Sequence, residues 1–302
     1  MMPLFIEGIQ AEDIVYNHIR DSDCPQKKAT KEFVENLWAI YQPYADNNFL
    51  DQIQRDFHAR FWEMYLTCTL LEQRFKLNCP KPGPDILISG DRKIWIEAIA
   101  PTAGYPSKPD SVPAELAQFR NSRGQRVPDE QIILRYRSAI AEKFDRRYAG
   151  YVAKGIVSNN DSYVVALNGQ KVGFSQHDVD PPRILRSLFP IGHEKVITEL
   201  DANETMKIVG NRFQFRPEIK KASGKDVSTF IFLSRDYENL SAVLFSSVGV
   251  INRPERMGQD FMLVHNPLAK NPLPSGFFKL GKEYTIQVLD NHRYQISVKE
   301  HR

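Results

Sequence analysis

The segment 93–100, with the sequence KIWIEAIA, is apolar at nearly every position and carries one glutamate, Glu97. Successive side chains of a strand point to opposite faces, so a run apolar on both faces predicts a strand near the centre of a covered sheet. A carboxylate there must be neutralised, paired with a cation or bound to a metal, because isolated buried charge is too costly to persist. Glu97 is therefore the residue whose role most needs an explanation.

The segments around this strand predict an α/β core. A helix that is apolar around most of its circumference is predicted over 51–74, and an amphipathic helix over 129–153. The strand SYVVAL follows the second helix. Three short strands between the two helices are predicted at 75–78, 85–89 and 93–100. The order is helix, three strands, helix and strand, in which the second helix is a crossover connection.

The rest of the chain flanks this core. Residues 1–50 are predicted to form an N-terminal helical extension, and 51–170 the core itself. Residues 171–302 contain short β-like runs, among them STFIFLS, and Asp290 with Asn291 predicts a hairpin turn. This region is expected to be either a β-rich C-terminal extension of the central sheet or a second module, and the sequence leaves both open.

Composition narrows the class of protein. At 302 residues the chain can bury a large core, and a net charge of +3 is too small to indicate a nucleic-acid partner by itself. No apolar run approaches the ~20 residues that span a bilayer, and the N-terminus lacks a secretory signal. Three cysteines without a CxxC pair predict neither a disulfide framework nor a zinc site. We therefore expect a cytoplasmic protein with no membrane partner.

Two further acids lie on the elements beside Glu97. Glu63 is on the same face of the first helix as Ala59 and Leu66, and Asp85 follows Pro84 at the start of a strand. Together with the order of elements, these residues resemble the PD-(D/E)xK nuclease superfamily, over about residues 51–169. The resemblance implies a restriction endonuclease-like core, a mixed sheet flanked by helices.

The resemblance also implies a function. Pro84 and Asp85 match the "PD" of the motif, Glu97 matches its second acid, and Glu63 matches the glutamate that many members carry on the first core helix. Such proteins are divalent-metal-dependent nucleases, so the expected cofactor is Mg²⁺ or Mn²⁺, held by Asp85, Glu97 and Glu63. The expected substrate is a phosphodiester of nucleic acid, most simply DNA.

The motif lysine is displaced in this chain. Ile99 stands two residues after Glu97, where the superfamily has lysine. Lys143 is the leading substitute because it interrupts the apolar stripe of the 129–153 helix and its long stem can carry the ammonium to the sheet edge. Arg147 and Lys93 are weaker substitutes. The catalytic set is thus predicted as Glu63, Asp85, Glu97 and Lys143.

Arginines supply the predicted contacts to nucleic acid. Arg135 lies on the 129–153 helix, where it could hold a phosphate. Arg120, Arg123 and Arg126 share one loop rich in Pro, Gly and Ser, long enough to suspect a function. A solvated loop is the commoner explanation of such a cluster.

Two alternatives to an active nuclease remain at this stage. The first is a nuclease-like protein that has lost catalysis and acts as a nucleic-acid- or protein-binding module; Ile99 is its best argument. The second is a structural or regulatory protein whose β-rich C-terminal half carries the function. In it the acids are merely bridged or surface residues: Glu97 pairs with Arg135 or Arg147, Glu63 is a helix-surface acid near Arg60, and Asp85 is a turn residue.

Overall fold

The computed structural model describes residues 2–114, 127–174, 177–200, 205–290 and 293–301. The helices are α1 (Ile14–Arg20), α2 (Pro25–Tyr41), α3 (Phe49–Ile53), α4 (Phe57–Glu72), α5 (Asp129–Lys143), α6 (Ala149–Ala153) and α7 (Arg183–Leu188). The strands are β1 (Leu77–Asn78), β2 (Ile86–Ile88), β3 (Ile94–Ile99), β4 (Ser162–Asn168), β5 (Ile191–Leu200), β6 (Met206–Phe215), β7 (Glu218–Lys220), β8 (Asp226–Ser228), β9 (Ala242–Ser246), β10 (Met262–His265), β11 (Gly281–Asp290) and β12 (Arg293–His301).

Eight of these strands form one mixed sheet in the order β1-β2-β3-β4-β9-β10-β11-β12. The strands β1, β2 and β3 pair antiparallel, whereas β3 pairs parallel with β4 and β4 with β9. Glu97 lies opposite Val165 in the parallel pair. Helix α5 connects β3 to β4, as a parallel pair requires. The predicted α/β class is confirmed, and α4, β1–β3, α5 and β4 follow in the predicted order.

The two faces of β3 belong to two hydrophobic cores. Ile94, Ile96 and Ala98 pack in a core with α2 and α4, while Trp95 packs in a second core with α5 and α7. Glu97 alternates with Ile96 and Ala98, so its side chain is on the face that α5 covers. The sheet is covered on both sides, as the apolar run predicted.

Some predicted boundaries are wrong. The helix predicted over 51–74 is two helices, α3 and α4, and the Asp56 carboxylate caps α4 by accepting the Ala59 N–H at 3.2 Å. The run STFIFLS is not a strand, because β8 ends at Ser228 and a 3₁₀ turn follows at Ile231–Leu233. Ile231 and Phe232 are buried, and a short apolar run does not by itself distinguish a buried turn from a strand.

The C-terminal region contributes to the central sheet. Strands β9–β12 continue the sheet beyond β4, while β5–β6 and β7–β8 form separate two-stranded sheets. The strands β11 and β12 are antiparallel and Asp290 pairs with Arg293. The predicted turn includes Asn291, which lies outside the described residues. Among the helices of the described segments, none has the length and apolarity needed to cross a membrane.

An ion-pair cluster holds the N-terminus of α5 against α7. The Asp129 carboxylate accepts from Arg183 Nε at 2.6 Å and from Arg186 Nη1 at 3.0 Å, and both arginines are buried. Burial opposes ionisation of Asp129, but the bonds to Arg183 and Arg186 outweigh it and lower the pKa of Asp129. Since α5 carries Lys143 at its other end, this cluster helps to fix the helix that reaches Glu97.

We expect Asp129→Asn to lower the free energy of unfolding by about 3 kcal/mol at pH 7, because the buried Arg186 loses its carboxylate partner and the buried Arg183 is left with Asp178. Because the pKa of Asp129 is lower in the folded state than in the unfolded state, its carboxylate stabilises the fold at any pH above the unfolded pKa of about 4. This contribution is lost as the pH falls through the folded-state pKa. Urea denaturation from pH 7 to pH 3 should therefore show the difference from wild type shrinking below about pH 4.

Glu130→Gln is the matched control, since Glu130 is an exposed acid in the same first turn of α5. It should change stability by less than about 0.5 kcal/mol. Equal losses for Asp129→Asn and Glu130→Gln would contradict an anchoring role for Asp129.

Candidate active site

Elements from distant parts of the chain meet at one cleft of about 350 Å³. Glu63 reaches it from α4, Asp85 from the residue before β2, and Lys143 from the last residue of α5. Ala98, on β3 next to Glu97, also lines the cleft. The sequence-predicted residues Glu63, Asp85 and Lys143 thus share one opening.

Glu97 is almost fully buried, with 1% of its side chain exposed. Its Oε1 atom accepts from Lys143 Nζ at 2.8 Å and from Arg147 Nη1 at 3.1 Å. Its Oε2 atom is buried and has no hydrogen-bond partner in the described parts of the chain. Burial raises the pKa of Glu97, the charge of Asp85 raises it further, and Lys143 and Arg147 oppose the rise. Oε2 is the oxygen at which a further positive charge would be stabilised.

Asp85 is fixed beside the same strand. Its Oδ2 atom accepts the backbone N–H of Ala98 at 2.8 Å, and its Oδ1 atom lies 3.7 Å from Lys81 Nζ. The charge of Asp85 raises the pKa of both Glu97 and Glu63. Asp85 is therefore the acid that couples the other two electrostatically.

Glu63 already has two partners. Tyr41 donates its hydroxyl to Oε1 at 2.9 Å, and Arg60 Nη1 lies 2.5 Å from Oε2. Burial raises the pKa of Glu63, and the charge of Asp85 raises it further. The charges of Arg60 and Lys81 and the hydrogen bond from Tyr41 act in the opposite direction and lower it. Glu63 is buried, as its helix face predicted, and it is bonded to Arg60, as the plain structural alternative predicted.

Lys143 lies on the face of α5 that packs against the sheet, as its position within the apolar stripe of the helix predicted. Its side chain is 11% exposed and its ammonium contacts Glu97 directly. Arg147 follows in a π-helical turn, Phe144–Tyr148, and is about half exposed. Ile99, at the motif's lysine position, lines the same cleft. Lys143 and Arg147, from α5 and the turn that extends it, thus both contact the same oxygen of Glu97.

The predicted nucleic-acid contacts lie elsewhere or cannot be placed. Arg135 donates from Nε to the carbonyl of Thr102 at 2.7 Å, which ties α5 to the loop after β3. Within the described residues Arg135 makes no hydrogen bond to Glu97, whereas Arg147 does. Arg120, Arg123 and Arg126 lie outside the described residues. Cations that do line the cleft are Arg60, Lys81, Lys143 and Arg147.

Sequence reasoning missed Tyr41 and Lys81, and it also missed Asp46 and Glu142, two acids that line the cleft. Tyr41 belongs to the predicted N-terminal extension, and it lies on the buried face of α2. That position predicts packing in the core and does not predict a contact with Glu63. Lys81 precedes Asp85 by four residues in the segment PKPGPD, a spacing that could have suggested the pair. The N-terminal extension therefore contributes to the cleft as well as to packing.

The described residues contain no group of three or more His, Cys, Asp or Glu side chains placed to hold a metal ion. Magnesium, however, commonly binds through one or two carboxylates and keeps several waters. Asp85 and the unpartnered Oε2 of Glu97 fit that requirement. Glu63 fits less well as a ligand, because Tyr41 and Arg60 occupy its two oxygens.

Comparison of the chain with protein-family models, with curated proteins and with solved structures finds no match. The chemistry of the cleft must therefore be argued from its own side chains. Four acids (Asp46, Glu63, Asp85, Glu142) and four cations (Arg60, Lys81, Lys143, Arg147) line the cleft. The pKa is raised for Glu63 and for the buried Glu97 beside Lys143.

We expect Lys143→Met to destabilise the protein by about 3 kcal/mol, because it leaves the Glu97 carboxylate buried with Arg147 alone. Adding Glu97→Gln to Lys143→Met should recover much of that loss, since the uncompensated charge is then gone. A double-mutant cycle by urea denaturation should give a coupling of about 1–3 kcal/mol between the two residues.

Lys154→Met is the matched control just after α6, since Lys154 is exposed and forms no ion pair with the described residues. Its effect on stability should stay within about 0.5 kcal/mol, with or without Glu97→Gln. A coupling near zero for Lys143 would mean that the contact with Glu97 is absent in solution.

Proposed function

We propose that the protein is a divalent-metal-dependent nuclease with a PD-(D/E)xK-like core, acting on phosphodiester bonds of DNA. The observation that carries the proposal is the contact of the buried Glu97 with Lys143, which lines the same cleft as Asp85. The succession of α4, β1–β3, α5 and β4, with β3 parallel to β4, supports the resemblance to that superfamily. The displaced lysine then comes from the crossover helix.

The residues suit phosphodiester hydrolysis because the reaction adds negative charge to a centre that is already anionic. Asp85 and Glu97 would hold Mg²⁺ or Mn²⁺, which when bound supplies Lewis-acid polarisation of water and phosphate oxygen. Lys143 would hold a nearby water or phosphate oxygen through its ammonium protons, while its bond to Glu97 keeps it in place.

The cations at the rim would bind the phosphate backbone. The side chains of Arg147 and Lys81 are 49% and 42% exposed, so both remain within reach of a ligand in the cleft. Arg147 can offer a planar fork of donors that matches a phosphate. Glu63, held by Tyr41 and Arg60, would then position Arg60 rather than complete the metal shell.

Incubation of the purified protein with plasmid DNA and with RNA, in Mg²⁺ or Mn²⁺, should give cleavage that chelation abolishes. We expect Asp85→Asn and Glu97→Gln each to lower the rate by about 100-fold or more, since each removes a charge that holds the cation. Calorimetry with Mn²⁺ should show uptake by the wild type and weaker uptake by both variants.

Asp91→Asn is the control, because Asp91 is an exposed acid in the turn between β2 and β3. It should leave both cleavage and Mn²⁺ uptake unchanged. Circular dichroism and thermal melting of all three variants distinguish a lost site from a lost fold. Cleavage that survives both Asp85→Asn and Glu97→Gln would end the nuclease proposal.

A binding module without catalysis is the second candidate function. It is favoured by the pairing of Glu97 Oε1 with both Lys143 and Arg147, which already neutralises the carboxylate, and by Ile99 at the motif's lysine position. In that case the wild type would take up no Mn²⁺ in calorimetry, would cleave nothing, and would still bind DNA with an affinity that falls steeply with salt.

The displaced lysine can be tested by moving it back. Residues 97 and 99 are two apart on β3 and share a face, so a lysine at 99 would place its ammonium beside Glu97. We expect Lys143→Met to lower cleavage by about 100-fold and the added Ile99→Lys to recover at least about tenfold of that loss. Single-turnover cleavage of a labelled duplex measures both steps.

The control for this exchange is Ile99→Met combined with Lys143→Met, which has a similar side-chain length at 99 and no charge. It should recover nothing. Recovery by Ile99→Met as well would assign the effect to packing in the cleft and not to a relocated cation.

A further inference from the structure

The strands β5 and β6 form a ribbon that leaves the body of the protein. They pair only with each other within the described residues. At the base Ile191 and Gly192 are buried, but every residue from His193 to Leu200 is exposed. A two-stranded hairpin alone in water is marginally stable, so a ribbon of this length is expected to pack against something.

A β-bulge in β6 gives the two faces of the ribbon different compositions. The register runs from Ile197 opposite Gly210 to Thr198 opposite Ile208, so Val209 is the extra residue. Without the bulge, Ile208 would lie opposite Glu199. With it, Glu199 pairs with Lys207, and Leu200 pairs with Met206.

One face is therefore apolar along most of its length. Residues directly opposite each other, and every second residue along a strand, share a face. Its apolar members are between 41% and 74% exposed: Val196, Leu200, Met206, Ile208 and Phe213. Glu194 lies on this face only at the base, opposite Phe213.

The other face is charged. It carries Lys195 opposite Arg212 and Glu199 opposite Lys207, and Ile197 is the apolar side chain among its paired residues; the bulge residue Val209 lies outside the pairing. This face needs no cover. The ribbon is thus one-sided, with a solvated face and a face that buried packing would stabilise.

We propose that the apolar face of the β5–β6 ribbon binds the same face of a second copy of this chain. The exposed apolar area is on the order of 500 Å² per copy, near the upper end of what a monomer leaves uncovered. Two copies covering each other would bury roughly 1,000 Å², the lower bound of a specific interface. The ribbon can bury that much area only against a partner surface that is as long and as apolar as the ribbon itself.

Charge also favours a second copy over nucleic acid. The apolar face carries no lysine or arginine, whereas phosphate recognition requires them. The described ribbon holds three cations (Lys195, Lys207, Arg212) and two acids (Glu194, Glu199), so two copies do not strongly repel each other. In a two-fold arrangement with antiparallel ribbons, Leu200 and Met206 at the tip of one would cover Phe213 at the base of the other.

The oligomeric state of the full chain tests the proposal. Sedimentation of the wild type should give a mass above the 34.8 kDa of one chain, with a concentration-dependent dimer. Ile208→Asp should weaken dimerisation by at least roughly tenfold, because it puts a charge in the centre of the apolar face. Ile197→Asp is the matched control, with the same change on the same ribbon but on the charged face, and it should leave the dimer unchanged.

Cross-linking separates a lost interface from a lost ribbon. With the exposed Cys24 replaced by serine, Thr198→Cys lies near the middle of the apolar face and should form an interchain disulfide on oxidation, whereas Ile197→Cys should not. A wild type that sediments as one chain at all concentrations overturns the proposal, as does equal weakening by Ile208→Asp and Ile197→Asp. So does a monomer whose ribbon variants lose only binding to DNA or to lipid vesicles.

Discussion

The buried contact of Glu97 with Lys143 and Arg147 is the constraint on which the rest of the core depends. Glu97 lies in a parallel strand pair, and the crossover helix that such a pair requires is also the element that brings its cations. Lys143 is the last residue of α5, where a positive charge is also favoured by the helix dipole. At the other end of the helix, Asp129 and its two arginines fix the position from which Lys143 reaches the sheet.

The sequence predicted those parts of the site in which a residue breaks an apolar pattern. Glu97 interrupts a strand and Lys143 interrupts a helix stripe, and each pattern fixes a face, so their meeting could be expected. The hydrogen bond from Tyr41 to Glu63 depends instead on how α2 packs across α4. The spacing of apolar residues in the sequence does not predict that packing geometry. The ribbon was missed for a related reason, because the bulge at Val209 shifts the alternation of β6 and removes the signal of an amphipathic strand.

The three acids are held differently, and this changes what each can do. Glu63 has Tyr41 and Arg60 on its two oxygens, and Asp85 accepts a backbone N–H on one oxygen. Glu97 has a buried oxygen that meets no hydrogen-bond partner among the described residues. The charge of Asp85 raises the pKa of both Glu63 and Glu97. The geometry therefore fits a site in which Asp85 and Glu97 bind the ligand and Glu63 orients Arg60. It fits less well a site in which all three acids bind one metal ion in the same way.

The energetic cost of Glu97 argues against a purely structural bridge. A buried ion pair is often no more stabilising than apolar side chains of similar volume, and a buried oxygen without a partner costs a further 1–3 kcal/mol or so. The neighbouring strand position, Ile99, shows that an apolar residue is accommodated at the same cleft. Glu97 is buried behind Lys143, which lines the cleft together with Asp85. The cost of this carboxylate is accounted for if the cleft binds a cation or a phosphate, and it has no comparable benefit if the cleft binds neither.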